Sequence, residues 1–120
     1  MGVNMQRLTN KRIIAVLFPI LKVALEKVPK RFTKKDYYGH LYDKKVINNH
    51  TVCYTKWDDS YITVEVVMPL EGRYDHATVS AIIQNGKVTA YGYAKEFAGL
   101  GNGFYADLDE NGNIIKSEWD

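Results

Sequence analysis

Apolar residues near the start of the chain recur with the period of an α-helix. At ~100° per residue Pro19 falls among the polar positions, where a proline fits the convex outer side of a helix that is curved or broken at this residue. Pro29 predicts the end of the helix, because a proline disfavours helical backbone in the residue before it. The predicted apolar face consists of Ile13, Val16, Leu17, Ile20, Leu21, Ala24 and Val28.

A second, short helix is predicted between Thr33 and the stop signal Asn48-Asn49. The sequence Thr33-Lys34-Lys35-Asp36 resembles a capping box, in which an acidic side chain three residues after threonine satisfies free amides. Gly39 weakens this helix, so packing of aromatic rings against another element would have to stabilise it. The residues at helical spacing after the cap are Tyr37, Tyr38, Leu41 and Tyr42.

From residue 51 onward the period changes to that of β-strands. Strand character extends over residues 51–57, 61–68, 77–84, 88–97, 104–109 and 114–119. Asn85-Gly86 and Asn111-Gly112 interrupt this pattern, and both dipeptides accept the positive φ angles of a tight type I′ hairpin turn. The sequence therefore predicts a single α+β domain over residues 1–120. Two helices cover an antiparallel meander sheet of five to six strands, and the first helix packs on the face that carries Ile62, Val64 and Val66.

Composition agrees with a globular protein and narrows its surroundings. The chain has 120 residues, of which 46% are hydrophobic and 25% charged, values that exclude disordered, collagen-like and membrane classes. Cys53 is its single cysteine, so an internal disulfide is excluded and a reducing compartment, the cytoplasm, is expected. The apolar run that begins at Ile13 is too short to span a bilayer, so no membrane association is expected.

Charge is distributed unevenly along the chain. Residues 1–50 contain 11 Lys and Arg against 3 Asp and Glu, whereas residues 51–120 contain 5 against 11. Basic side chains interleaved with tyrosine suit either a protein interface or the phosphates and bases of a nucleic acid. The near-neutral total and the acidic second part favour a protein partner or self-association. The candidate binding residues are Lys30, Arg31, Lys34, Lys35, Tyr37, Tyr38, Tyr42, Lys44 and Lys45.

Residues 107–118 match a calcium-binding loop at every specified position. The ligands of that alternative would be Asp107, Asp109, Asn111 and Glu118, with Gly112 at the sharp turn. A calcium loop of this kind lies between two helices, however, and the flanking residues here alternate like strands. The sequence therefore favours a β-hairpin without a bound metal.

The remaining chemistry-bearing residues are three histidines and the cysteine. His50 and Cys53 have a metal-like spacing, but both His40 and His76 would have to come from distant segments to complete a four-ligand zinc site. An enzyme with a Cys-His nucleophilic pair is an alternative with equally little support. The chain contains no nucleotide, zinc-protease or esterase motif, so an enzyme is the less favoured class and no cofactor is expected. The sequence predicts a small non-enzymatic protein-binding or regulatory module. A nucleic-acid-binding protein acting through residues 27–45 is the alternative, and a metal protein or Cys/His enzyme is the second alternative.

Overall fold

The structure, a computed structural model, describes residues 9–72, 75–97 and 102–119. Within these residues a helix, α1 (Asn10–Leu25), precedes eight strands that pair antiparallel in chain order, so the sheet is a continuous meander. The strands are β1 (Lys34–Lys35), β2 (Leu41–Ile47), β3 (His50–Asp58), β4 (Tyr61–Pro69), β5 (His76–Gln84), β6 (Lys87–Phe97), β7 (Asn102–Leu108) and β8 (Ile114–Trp119).

Helix α1 is one unbroken helix that passes through Pro19. The Thr9 hydroxyl caps its first turn by accepting a hydrogen bond from the Arg12 amide at 3.2 Å. Pro19 is exposed, as the hydrophobic pattern predicts. The helix ends at Leu25, four residues before Pro29, so the proline does not itself end it.

The core lies between α1 and one face of the sheet, with α1 packed on β4 and β5. The prediction that the helix packs on the face of Val64 and Val66 is confirmed, since both side chains are fully buried. Val16 was predicted to be buried and is 44% exposed. The buried sector of α1 reaches Ile14 and Phe18 instead, because strands as far along the sheet as β7 also contribute to the core.

Two tyrosines of the sheet form hydrogen bonds with the two ends of α1. The Tyr54 hydroxyl donates a hydrogen bond to the Ala24 carbonyl at 2.8 Å, and the Tyr93 hydroxyl donates one to Asn10 Oδ1 at 2.7 Å. The Ala24 carbonyl also accepts from the Lys27 amide at 3.0 Å, so Tyr54 adds a second hydrogen bond, from the sheet, at this end of the helix. Burial raises the pKa of Tyr54 to about 12 and also raises that of Tyr93.

The second helix predicted after Thr33 is wrong, and so is the count of five to six strands. The segment forms β1, a turn and β2, which add two strands at the β3 side of the sheet. The tyrosines have helical spacing, but a helix at this place would leave the backbone amides and carbonyls along one edge of β3 without hydrogen-bond partners. Pairing of β2 with β3 over seven residue pairs satisfies those groups, and a free helix at this place would not.

The asparagine turns explain where the hairpins form. Asn48 and Asn49 have φ angles of 53° and 66°, so the predicted helix stop signal is a tight turn between β2 and β3. Asn85 and Gly86 also both have positive φ, which confirms the turn predicted between β5 and β6. Of the pair Asn111-Gly112, Gly112 alone has positive φ, so the tight two-residue turn predicted there is a wider loop.

The strands of the sheet present two different faces. One face lies against α1 and is called the helix face below. The other, the open face, carries the alternate residues of each strand, such as Cys53, Glu65 and Ser80, which are cross-strand neighbours. Among the described residues, the helix α1 packs on the helix face and does not lie across the open face.

Candidate functional site

The predicted binding residues lie on a hairpin at one edge of the sheet. Lys30 and Arg31 are exposed just before it. The tyrosine hairpin, as we call β1, the turn 36–40 and β2 together, contains the remaining predicted residues: Lys34 and Lys35 in β1, Tyr37 and Tyr38 in the turn, and Tyr42, Lys44 and Lys45 in β2.

A network of hydrogen bonds holds the turn of the tyrosine hairpin. The Asp36 carboxylate accepts from the Tyr38 amide at 3.0 Å and from the His40 amide at 2.9 Å. The Gly39 amide donates to the Asp36 carbonyl at 3.0 Å, and its φ of 88° suits glycine in this turn. Asp36 therefore organises a β-turn and does not cap a helix as the sequence pattern predicted.

Two tyrosines stand out from this turn into solvent. Tyr37 is 95% exposed and Tyr38 is 80% exposed. Their rings contact each other edge to face, with centroids 5.2 Å apart. Neither ring contributes to the core, so packing within this chain does not explain two neighbouring tyrosines here. Tyrosine is enriched at the energetic centres of protein interfaces because it offers large, rigid contact area.

The lysines of the tyrosine hairpin differ in how far they are engaged within the chain. Lys34 Nζ lies 3.8 Å from the Asp43 carboxylate. Lys45 turns toward the helix face, where its Nζ donates to the Lys27 carbonyl at 2.7 Å and lies 5.5 Å from the centre of the Tyr54 ring. Lys35 and Lys44 are exposed. The positive surface available to a partner is therefore smaller than the count of basic residues predicts.

An aromatic cluster beside the hairpin was not predicted from sequence. The rings of His40 and Trp57 contact each other with centroids 4.5 Å apart, and the Trp57 indole N–H donates to the Thr63 hydroxyl at 2.9 Å. Trp57 stays half exposed. Pairing of β2 with β3 brings His40 close to Trp57, so the signal would have been visible only if the hairpin had been predicted.

The structure does not bring His50 and Cys53 together. In β3, Cys53 lies on the open face, whereas His50 shares the side of Val52 and Tyr54, which are buried against α1. His50 Nδ1 lies 2.9 Å from the Asn48 carbonyl in the neighbouring turn. Burial raises the pKa of the Cys53 thiol, which opposes the thiolate that a nucleophile or metal ligand requires.

The calcium-like segment forms the hairpin that the strand pattern predicts, with β7 and β8 paired antiparallel. Asp109 organises its turn, because the Asp109 carboxylate accepts from the Asn111 and Asn113 amides, each at 2.9 Å. These bonds lower the pKa of Asp109. Asp107 lies in β7 on the open face, and the side chain of Glu118 lies outside the described part of the structure. Among the described side chains there is no group of three or more His, Cys, Asp or Glu that would hold a metal ion.

The open face carries a second group of polar side chains that sequence reasoning missed. Glu96 Oε1 lies 3.2 Å from His76 Nε2, and the Tyr105 hydroxyl donates to Glu96 Oε2 at 3.2 Å. Glu65 lies on the same face. Partial burial raises the pKa of Glu65, the nearby charge of Glu96 adds to this rise, and His76 opposes it. The side chains come from β4, β5, β6 and β7, so strand register alone brings them together.

Comparison with protein-family models, curated proteins and solved structures finds no match. Helix α1, the helix within the described residues, is not long and apolar enough to cross a membrane.

Proposed function

We propose that this protein is a small, non-enzymatic binding module that holds an acidic protein segment on its tyrosine hairpin. The observation that carries the proposal is the pair of exposed rings, Tyr37 and Tyr38, on a turn held by the Asp36 carboxylate. Since Cys53 favours a reducing compartment, we propose the cytoplasm as its location.

The rigidity of the turn supports binding through the tyrosines. Backbone already fixed by Asp36 and Gly39 loses little conformational entropy when a partner binds. The two rings then supply apolar contact area at the cost of few rotatable bonds, and their hydroxyls remain available for hydrogen bonds. Such a surface gives specific contact with a protein without a deep pocket.

The charges around the tyrosines support an acidic partner. Lys35 and Lys44 on the hairpin and Lys30 and Arg31 before it are exposed. Charges at the rim of an interface attract a partner of opposite sign and increase the association rate. A nucleic acid would need a denser set of phosphate contacts. Engagement of Lys34 and Lys45 within the chain, together with Asp36 and Asp43 on the same hairpin, supports a protein partner over a polyanion.

The test is a fluorescence-anisotropy titration of the full chain with two probes at 50 and 300 mM salt. One probe is a labelled 15-residue peptide of glutamate and leucine, and the other is a labelled 20-nucleotide single-stranded DNA. We expect the peptide to bind and to retain most of its affinity at the higher salt concentration. The variant Tyr37→Ala/Tyr38→Ala should lose this binding.

Charge reversal separates the hairpin from the rest of the surface. Lys35→Glu/Lys44→Glu should weaken peptide binding, whereas Lys87→Glu, at the exposed start of β6, should not. Binding of the DNA alone, with an affinity that falls steeply with salt, would replace the protein partner by a nucleic acid. Absence of binding to both probes would contradict the proposal of an acidic partner.

A further inference from the structure

The open face has a central row of side chains that crosses seven strands in register. The members of this row carry charges of both signs, with small residues between them. From β2 to β8 they are Lys44, Cys53, Glu65, Ser80, Gly92, Asp107 and Lys116. Because each is the cross-strand neighbour of the next, their order along the row is set by the backbone pairing alone.

The surface of the open face is depressed where the row crosses β6. Gly92 has no side chain and its neighbour on the same face of β6 is Ala94, so a shallow groove of about 290 Å³ lies here. Ser80, Tyr105, Asp107 and Lys116 border the groove. Two sheets that pack face to face lie ~10 Å apart, and small residues at the contact allow the closest approach.

We propose that a second copy of this chain packs on the open face, with the two-fold axis of the dimer running along β6. Such an axis places each β4 opposite the β8 of the partner and each β5 opposite its β7. Glu65 then faces the partner's Lys116, and Ser80 faces the partner's Asp107. The two-fold symmetry repeats each pair, so the dimer contains two carboxylate–ammonium pairs of this kind.

Charge complementarity selects this axis over its neighbours. An axis along β5 would place Lys44 opposite the partner's Lys116, two charges of the same sign. An axis along β4 would oppose two Glu65 carboxylates, and one along β7 would oppose two Asp107 carboxylates. The axis along β6 avoids all three repulsions and places Gly92 and Ala94 at the line of closest approach.

One negative pair also lies near this axis. Glu96 lies near the end of β6 on the open face, so the Glu96 side chains of the two copies lie close to each other in this dimer. Each Glu96 carboxylate already accepts from Tyr105 and lies 3.2 Å from His76 Nε2, so it has polar partners within its own subunit. The twist of packed sheets, ~30° between the two, also separates residues toward the strand ends.

The size of the shared surface predicts a weak dimer. Five strands, β4 to β8, at ~4.8 Å spacing and ~3.3 Å per residue cover about 500 Å² per subunit. This area lies below that of standard specific interfaces, which bury about 600 to 1,000 Å² on each partner. We therefore expect the dimer to form at micromolar concentrations of the chain.

The test is sedimentation velocity between 1 and 200 μM with charge-reversed variants. Glu65→Lys and Lys116→Glu, each alone, create two like-charge pairs in the dimer and should raise its dissociation constant at least tenfold. An equimolar mixture of the two variants should dimerise like the wild type, because the mixed dimer has two complementary pairs again. Glu110→Lys, in the turn between β7 and β8, and Lys11→Glu, on the exposed side of α1, are the matched controls outside the open face.

Gly92→Val tests the close approach without changing charge. It should weaken the dimer while circular dichroism shows an unchanged fold. A wild-type chain that stays monomeric at 200 μM, or single charge variants that dimerise like the wild type, would overturn the proposal. The axis along β6 would be rejected if dimerisation were restored by mixing Lys44→Glu with Asp107→Lys and not by mixing Glu65→Lys with Lys116→Glu.

Discussion

The two faces of the sheet differ in the burial and polarity of their side chains, although the residues of both faces alternate along the same strands. On the helix face, Tyr54, Val64 and Val79 are fully buried. On the open face, their neighbours along the strands are Thr55, Glu65 and Ser80. The helix face is filled to the density of a core, so its residues are chosen for shape. The open face keeps polar and charged groups near the surface.

This contrast teaches which changes should affect folding and which should affect binding. Removing a large side chain from the helix face leaves a cavity. Removing an exposed group from the open face or from the tyrosine hairpin leaves the core intact.

Leu17→Ala should lower the free energy of unfolding by about 2–5 kcal/mol. Leu17 is fully buried between α1 and the sheet, so truncation removes apolar contacts and leaves a cavity. Urea denaturation followed by circular dichroism measures the change. Val16→Ala, one residue earlier on the exposed side of the same helix, is the control and should cost much less. Equal costs at both positions would contradict the assignment of the buried side of α1.

Tyr54→Phe should lower the free energy of unfolding by about 1 kcal/mol, because the Ala24 carbonyl at the end of α1 loses its hydrogen bond from the hydroxyl. The same denaturation experiment measures this loss. Tyr61→Phe is the matched control, since the Tyr61 hydroxyl has no hydrogen-bond partner among the described residues. An unchanged stability of Tyr54→Phe would mean that the sheet does not fasten the helix end.

Glu65→Gln should increase stability slightly at pH 7 and have no effect near pH 4. The folded protein holds the Glu65 proton more tightly than the unfolded chain, whose pKa is near the ordinary value of 4.5. The stability that this raised pKa contributes is present below pH 4.5 and is lost as the pH rises through the folded-state pKa. Denaturation at pH 4, 5.5 and 7 with ~1 μM protein measures the difference.

The outcome for Glu65 also sharpens the comparison of the two faces. Glu110→Gln, in the turn between β7 and β8, is the control for the loss of one carboxylate. A Glu65→Gln variant that is less stable than the wild type at pH 7 would mean that the open face stabilises the carboxylate, against the effect of partial burial.

Tyr37→Ala/Tyr38→Ala should change the free energy of unfolding by less than about 0.5 kcal/mol, because neither ring packs against the core. Thermal unfolding and the peptide titration, performed on the same preparation, check both roles. Loss of binding with unchanged stability is the expected result. A large loss of stability would assign the tyrosines to folding and remove them from the binding surface.

The elements with a strong local pattern were predicted from sequence alone. The six strands from β3 to β8 lie within one or two residues of their predicted bounds, and α1 buries most of its predicted face. These segments have local preference, alternation and turn residues that all favour the same structure. The candidate residues Tyr37 and Tyr38 were also identified from sequence, although on a helix instead of a turn.

Residues 33–48 show where local pattern is insufficient. The spacing of the tyrosines fits a helix, and Asn48-Asn49 fits both a helix stop and a hairpin turn. The alternative that occurs is decided by β3, whose unpaired edge accepts β2 as a partner. That interaction is between segments, and single-sequence periodicity does not contain it.

Strand register, and with it the polar group of the open face, was decided only in the tertiary structure. Pairing that continued evenly from Gln84 and Lys87 at the β5–β6 turn would place His76 opposite Lys95. A bulge at Ile82 and Ile83 shifts the register by one residue, so His76 lies opposite Glu96. Because side chains alternate with a period of two, this single residue exchanges the two faces of β6. The sequence thus determined that β3 to β8 are strands. Pairing across the sheet made a strand of β2 and, together with packing against α1, determined which side chains meet.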